Sequence, residues 1–204
     1  MKSSDKKFNL VKSSLNIIEK SGWKSFSLQK LSYAEKIPIN EIKIFFKSEI
    51  TILDEFSKMI DIKVEKSFDY EELTNTSVKD NLFELIMLRL EFMQPYRNAL
   101  KSIKSSFKSD PLVAKSVAKN VMNSLDFYLE LTNAFNDSFL DIFKKKSIFL
   151  IYSYIFMIWL EDDSDELSKT MSELDKLLSF SEKIALDFKT YTPVSYTHLT
   201  LPTI

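Results

Sequence analysis

A chain of 204 residues with 45% hydrophobic content can bury a substantial core, and its single glycine leaves few sites for the primed turns of β-hairpins. The absence of cysteine excludes disulfides and thiolate metal sites, and a net charge of −1 spreads no global positive field toward a polyanion. What remains is an all-α pattern, with helices joined by short polar connectors.

Residues 1–7 form a polar arm with three lysines, and no continuous apolar stretch of a secretory signal follows. Phe8, Val11, Leu15 and Ile18 recur at helical spacing and predict a first helix. Gly22 follows as the left-handed stop at its end. Trp23 and Phe26 then lead into residues 27–46, SLQKLSYAEKIPINEIKIFF, the stretch around which the chain is organised. Ser27 is placed to cap a helix, and Leu28, Leu31 and Ala34 fall on one face of it. Ile37-Pro38 breaks that helix, because proline lacks an N–H and pushes the preceding residue out of helical geometry. Asn40 is a second capping candidate, followed by Ile42, Phe45 and Phe46 on an apolar face. Short helix, turn, short helix is either a helix-turn-helix or a plain αα-corner.

Ser48 is placed to cap the next helix, whose stripe is Ile50, Leu53, Phe56, Ile60 and Val64. Residues 70–77 read as a loop ending in the cap Ser77. A helix follows over 78–93, with Pro95 ending or kinking it, and another over 96–107. Asp110-Pro111 is a strong start signal for a helix reaching about residue 134. Residues 133–138 form a connector, 139–160 the most apolar helix, and 164–188 a last helix opened by Ser164. Residues 147–160 are too short for a membrane span, which needs about 20 residues. A helix apolar on all sides is a central core helix or a dimer seam.

Residues 1–58 hold 11 lysines against 7 acidic residues, so the positive part of the chain coincides with the helix-turn-helix candidate. Only Arg89 and Arg97 are arginines. Lysine presents a point charge where arginine would present a planar fork. Met87, Leu88, Phe92, Met93, Ile151, Tyr152, Ile155 and Phe156 line either a cavity for a small apolar ligand or an ordinary core, with Tyr152, Tyr154 and Trp159 as polar handles. The pattern argues against an enzyme. It has no glycine-rich phosphate loop, no metal-ligand cluster and no implied cofactor, and the run Glu161-Asp162-Asp163 reads as a solvated helix end. Residues 194–203, VSYTHLTLPT, translate a common sequencing adaptor and are expected not to be native. The only histidine, His198, lies there, so no site is built on it.

Residues 8–56 resemble the N-terminal domain of TetR-type transcriptional regulators. The likeness rests on the apolar first helix, Ser21-Gly22-Trp23, Phe26-Ser27-Leu28, Leu31, Ile42, Phe46, Ser48 and Leu53. It implies a cytoplasmic, all-helical homodimer. A helix-turn-helix domain over 1–48 would bind a double-stranded DNA operator, and a bundle over 49–190 would bind an unknown small apolar ligand and dimerise. On this likeness DNA contacts are expected at Ser27, Gln29, Asn40, Lys43 and Lys47, with Asn40 reading adenine or capping its helix. Departures accompany it. Glu35-Lys36 replaces the usual Ala-Gly of the turn, Lys43 a Tyr, Phe45 a His and Glu49 a Lys. A carboxylate at 49 opposes phosphate, whose neutralisation supplies much of the affinity for DNA. Residues 148–178, with Trp159-Leu160-Glu161-Asp162-Asp163-Ser164, Leu167, Thr170 and Leu174, are also similar to the lipid-binding accessory proteins of ubiquinone biosynthesis. Those share the fold, bind isoprenoid lipid instead of DNA and meet the membrane.

Overall fold

The structure, a computed structural model, describes residues 3–71, 73–135 and 141–191, with side chains described over 4–187 of these. The suspect segment 194–203 and His198 lie outside the described residues, as does the end of the 133–138 connector. The described residues contain helices and turns and no strand: α1 (Ser3–Ser21), a 3-10 turn (Trp23–Ser25), α2 (Leu28–Glu35), α3 (Ile39–Phe45), α4 (Ile50–Ser67), α5 (Val78–Met93), α6 (Arg97–Ser105), α7 (Pro111–Leu131), α8 (Asp141–Leu160) and α9 (Ser168–Tyr191). An N-terminal helix-turn-helix unit of three helices precedes a helical bundle.

The starts follow from capping chemistry. The Ser27 hydroxyl accepts from the Lys30 amide at 3.2 Å, Ser77 from the Asp80 amide at 3.1 Å, and the Asp110 carboxylate from the Val113 amide at 3.3 Å. Pro111 then occupies the first turn of α7, where its missing N–H costs nothing. Pro95 sits in a 3-10 turn, Gln94–Tyr96, that separates α5 from α6.

Four expectations shift. Gly22 has φ 80° and ψ 154°, an extended mirror-image conformation open in practice only to glycine, rather than a left-handed helix stop. Asn40 caps nothing. Pro38 stands at the cap of α3, and its carbonyl takes the Glu41 and Ile42 amides. Ser48 lies one residue before the cap of α4, and the Thr51 hydroxyl instead exchanges bonds with the Ser48 amide and carbonyl. The last helix begins at Ser168, after a turn in which Glu166 and Leu167 both have positive φ.

Core residues run through both parts. Leu10, Val11, Leu15 and Ile18 of α1 face Leu28 and Leu31 of α2, Ile42 of α3 and the buried stripe of α4, while Ala34 is exposed. Full burial of one such side chain is worth about 1.5–3 kcal/mol, so this stripe fixes how α1 sits on α4. Helix α4 continues outward to pack on α5 and α7, which makes it common to both parts. Helix α8 is not apolar on all sides inside the core. Ile148, Tyr152, Ile155 and Trp159 are buried, whereas Phe143, Leu150, Tyr154 and Met157 are exposed. No described helix is long and apolar enough to cross a membrane.

Candidate nucleic-acid interface and the bundle behind it

The turn between α2 and α3 is held by one side chain. The Ser32 hydroxyl donates to the Ile37 carbonyl at 2.6 Å, and the Ile37 amide donates back to the Ser32 carbonyl at 3.1 Å. Lys36 closes α2 in the left-handed conformation, φ 55° and ψ 36°. Ile42 and Phe46 are fully buried and Ile39 and Phe45 partly so. The helical period therefore turns Asn40, Glu41, Lys43 and Ile44 outward. All four are exposed.

Charge on this unit is sorted. Glu41 pairs with Lys6 at 3.2 Å, and the Glu35 carboxylate accepts from the Ser13 hydroxyl. The Glu49 carboxylate turns inward and accepts from the Leu28 amide at 3.2 Å, in the first turn of α2. It is thus held within the fold, correcting the expectation of a free carboxylate facing phosphate. Lys24, Lys30, Lys36, Lys43 and Lys47 are exposed and pair with no carboxylate among the described residues. Gln29 is exposed beside Lys30 in the first turn of α2, and Ser27 is spent as the cap. Phe46 is extended, so the chain leaves α3 before Lys47, and Lys43 and Lys47 are not neighbours on one helix.

The unit is fixed to the bundle through α6. The Trp23 amide donates to the Ser102 hydroxyl at 2.9 Å, and the Asn98 amide group to Glu19 at 2.8 Å. The Trp23 and Phe26 rings stack at 6.1 Å. A groove of about 470 Å³ runs along this junction, lined by Trp23, Phe26, Glu49, Ile50 and Asp110 among others.

In the bundle, Met87, Met93, Tyr152 and Ile155 are buried, and Leu88, Phe92, Ile151 and Phe156 pack against the core. None of the eight lines the junction groove or a second groove of about 680 Å³ bordered by Glu91, Arg97, Asp162 and Met171. Tyr154 points outward and offers that core no polar handle. The centre is polar instead. Arg89 of α5 is 3% exposed. It donates to the Tyr152 hydroxyl at 3.1 Å and the Ser57 hydroxyl at 3.0 Å, and forms an ion pair with Asp61. Asp61 also accepts from Ser124 at 2.8 Å and Tyr128 at 3.3 Å. Burial alone would lower the guanidinium pKa, but the Tyr152, Tyr128 and Asp61 oxygens outweigh it and raise it above its ordinary value. Burial pushes both tyrosine hydroxyls up as well, so they stay neutral.

No family model matches the sequence, and no curated protein matches it significantly. Solved structures do. The chain is similar over 88% of its length to a TetR transcriptional regulator from Nitrosomonas europaea ATCC 19718, with a TM-score of 0.72, 15% identity and 99% of that chain covered. It is also similar to a TetR transcriptional regulator from Rhodococcus sp. RHA1, with a TM-score of 0.58, 10% identity, and 84% of this chain and 92% of that one covered. The chain has the TetR fold.

Within the TetR fold, Ile42, Phe45 and Phe46 form the inner face of α3 as their spacing predicts, whereas the Arg89 cluster was not anticipated from the sequence. The available signal was Arg89 itself, a charge inside the apolar run LIMLRLEFM at a core position. Ser57 and Asp61, one turn apart on α4, supply its partners.

Proposed function

We propose that this chain is a homodimeric, DNA-binding transcriptional regulator whose bundle takes a small apolar ligand. The observation that carries the reading is the sorted charge of the helix-turn-helix. Glu41, Glu35 and Glu49 are tied to Lys6, Ser13 and the Leu28 amide, while the lysines at 30, 36, 43 and 47 pair with no carboxylate among the described residues. Phosphate neutralisation by such cations supplies the sequence-independent part of DNA affinity. Asn40, with no cap to make, is free to read a base edge, and Gln29, Lys43 and Lys47 are accessible to a duplex. Residues 1–48 act as the DNA-binding domain and 49–190 as the ligand-binding and dimerising domain.

Dimerisation is supported by an uncovered apolar stripe. Phe143, Leu150, Tyr154 and Met157 recur along α8 at spacings of seven, four and three, and Phe180 and Ile184 lie one turn apart on the adjoining α9. That is the spacing of a helix seam. Pairing two copies there would carry two α3 helices, which must sit about 34 Å apart to meet successive major grooves. Because α4 spans both parts, a ligand that shifts it would change this separation.

Fluorescence anisotropy with DNA from upstream of the chain's own gene tests the reading. The expected result is salt-dependent binding, with a slope that falls by about 0.9 for each phosphate that Lys43→Glu or Lys47→Glu leaves unneutralised. Unchanged affinity and slope in both variants would remove the assignment. Native mass spectrometry of gently purified protein tests the ligand half, with a co-purified apolar molecule expected.

A further inference from the structure

The outer face of α3 carries one side chain that phosphate binding does not use. Ile44 is 78% exposed, the most exposed large apolar residue among those described. A single exposed apolar residue needs no function by itself. Its surroundings set this one apart. Ile44 lies one helical turn beyond Asn40, so both project from the side of α3 opposite the buried Ile42. Glu41 on one flank is held by Lys6, and Lys43 on the other carries an unpaired charge. The strip presented outward is therefore an amide followed by a branched alkyl group, edged by the Glu41–Lys6 ion pair on one side and by Lys43 on the other.

The floor of the DNA major groove offers chemistry that fits this strip. Adenine presents N7 and N6–H₂ side by side, which pair with an amide, and the C5-methyl of thymine is the only apolar group of the groove code. Residues one turn apart on a helix hold their Cβ atoms about 5–6 Å apart, and base pairs stack at about 3.4 Å, so the two side chains span one to two base-pair steps. We propose that Asn40 and Ile44 together read an A·T-containing step, with Asn40 on an adenine edge and Ile44 against a thymine methyl. Ile44 is then a specificity residue. The inference rests on the reading of this unit as a duplex-DNA binder and names what that unit recognises.

The test uses the full-length protein. Duplexes are selected from a random library, and each thymine of the selected site is replaced in turn by deoxyuridine, which removes only the C5-methyl. At one thymine per half-site the wild type should lose roughly fourfold in affinity, the value of one buried methyl group. Ile44→Ala should melt at the wild-type temperature, bind more weakly, and be indifferent to the same replacement. Binding by the wild type that no deoxyuridine alters, or a penalty that Ile44→Ala retains, overturns the assignment of Ile44 and leaves DNA binding standing. Failure to bind any duplex at low salt removes the DNA-binding reading and this inference with it.

Discussion

The two parts of this molecule handle charge in opposite ways. In the helix-turn-helix, Glu35, Glu41 and Glu49 are tied inward or to neighbours, while Lys30, Lys36, Lys43 and Lys47 stand on the surface with no carboxylate partner among the described residues. In the bundle, a cation is sunk to 3% exposure and enclosed by one carboxylate and a ring of hydroxyls. An exposed cation gives the fold little, since surface pairs are worth about 0–1 kcal/mol, and so it remains available to an outside anion. A buried cation must be satisfied internally, and its directional bonds then specify how four helices meet. The same element of chemistry thus stands open to solvent in one part and serves architecture in the other.

The sharpest way to break this contrast is to remove Arg89. Arg89→Ala leaves Asp61 facing two hydroxyls with no countercharge, and opens a cavity as well. Losing one partner of a buried pair costs about 3–5 kcal/mol, and urea denaturation should show a loss of that size. Replacing both partners at once, Arg89→Met with Asp61→Leu, should recover most of it, because an apolar pair needs no compensation. If the single change leaves the urea midpoint untouched, the cluster is not architectural.

A second buried charge should give the next effect. Asp162 is 2% exposed. Burial raises its pKa, but bonds from the Ser164 and Thr170 hydroxyls and amides outweigh that and hold it down at about 2, against an ordinary value of 3.8. A carboxylate depressed in this way stabilises the fold above its ordinary value, and the contribution fades as pH falls from about 5 toward 2. The size is about 2 kcal/mol. Asp162→Asn should therefore cost roughly that much at pH 6 and progressively less in acid. A gap between the two proteins that is constant with pH would show that the charge of Asp162 plays no part.

Between the two regions sits Ser102, whose hydroxyl takes the Trp23 amide. Ser102→Ala leaves that half-buried amide unpaired and should cost about 1 kcal/mol. If α6 transmits bundle movements to the helix-turn-helix, the same change should weaken the effect of ligand on DNA affinity. An anisotropy titration with and without ligand reads that coupling.

Much of this was legible in the sequence because it depends on neighbours in the chain. Ser27, Ser77 and Asp110-Pro111 cap their helices as local chemistry dictates, and Pro95 divides α5 from α6. The inner face of α3 followed from the spacing of Ile42, Phe45 and Phe46. What was hidden depends on distant parts meeting. The partners of Arg89 come from α4 and α8, as much as 63 residues away, and α7 joins the cluster through Asp61. Glu49 looked like a free carboxylate until α4 was placed against the start of α2. The positive φ of Glu166 and Leu167 was invisible for a different reason, since neither residue is a type that advertises a left-handed turn.

The smallest expected effect separates the two uses of charge within one side chain. Lys36 is an unpaired surface cation, and it also occupies the left-handed position that ends α2, with φ 55°. A residue with a Cβ is strained there by roughly 1–2 kcal/mol, and glycine is not. Glycine in turn gives the unfolded chain more freedom, at a cost of about 0.4–1 kcal/mol. The two nearly cancel, so Lys36→Gly should raise stability by no more than about 1 kcal/mol. Removing the ammonium, however, cannot be offset by backbone relief. If Lys36 meets phosphate, the salt dependence of DNA binding should fall by about 0.9 in slope while the melting temperature holds or rises. A variant that loses stability and keeps its salt slope would mean that Lys36 serves the fold rather than the partner, and the division of labour between the two regions would not extend to the turn.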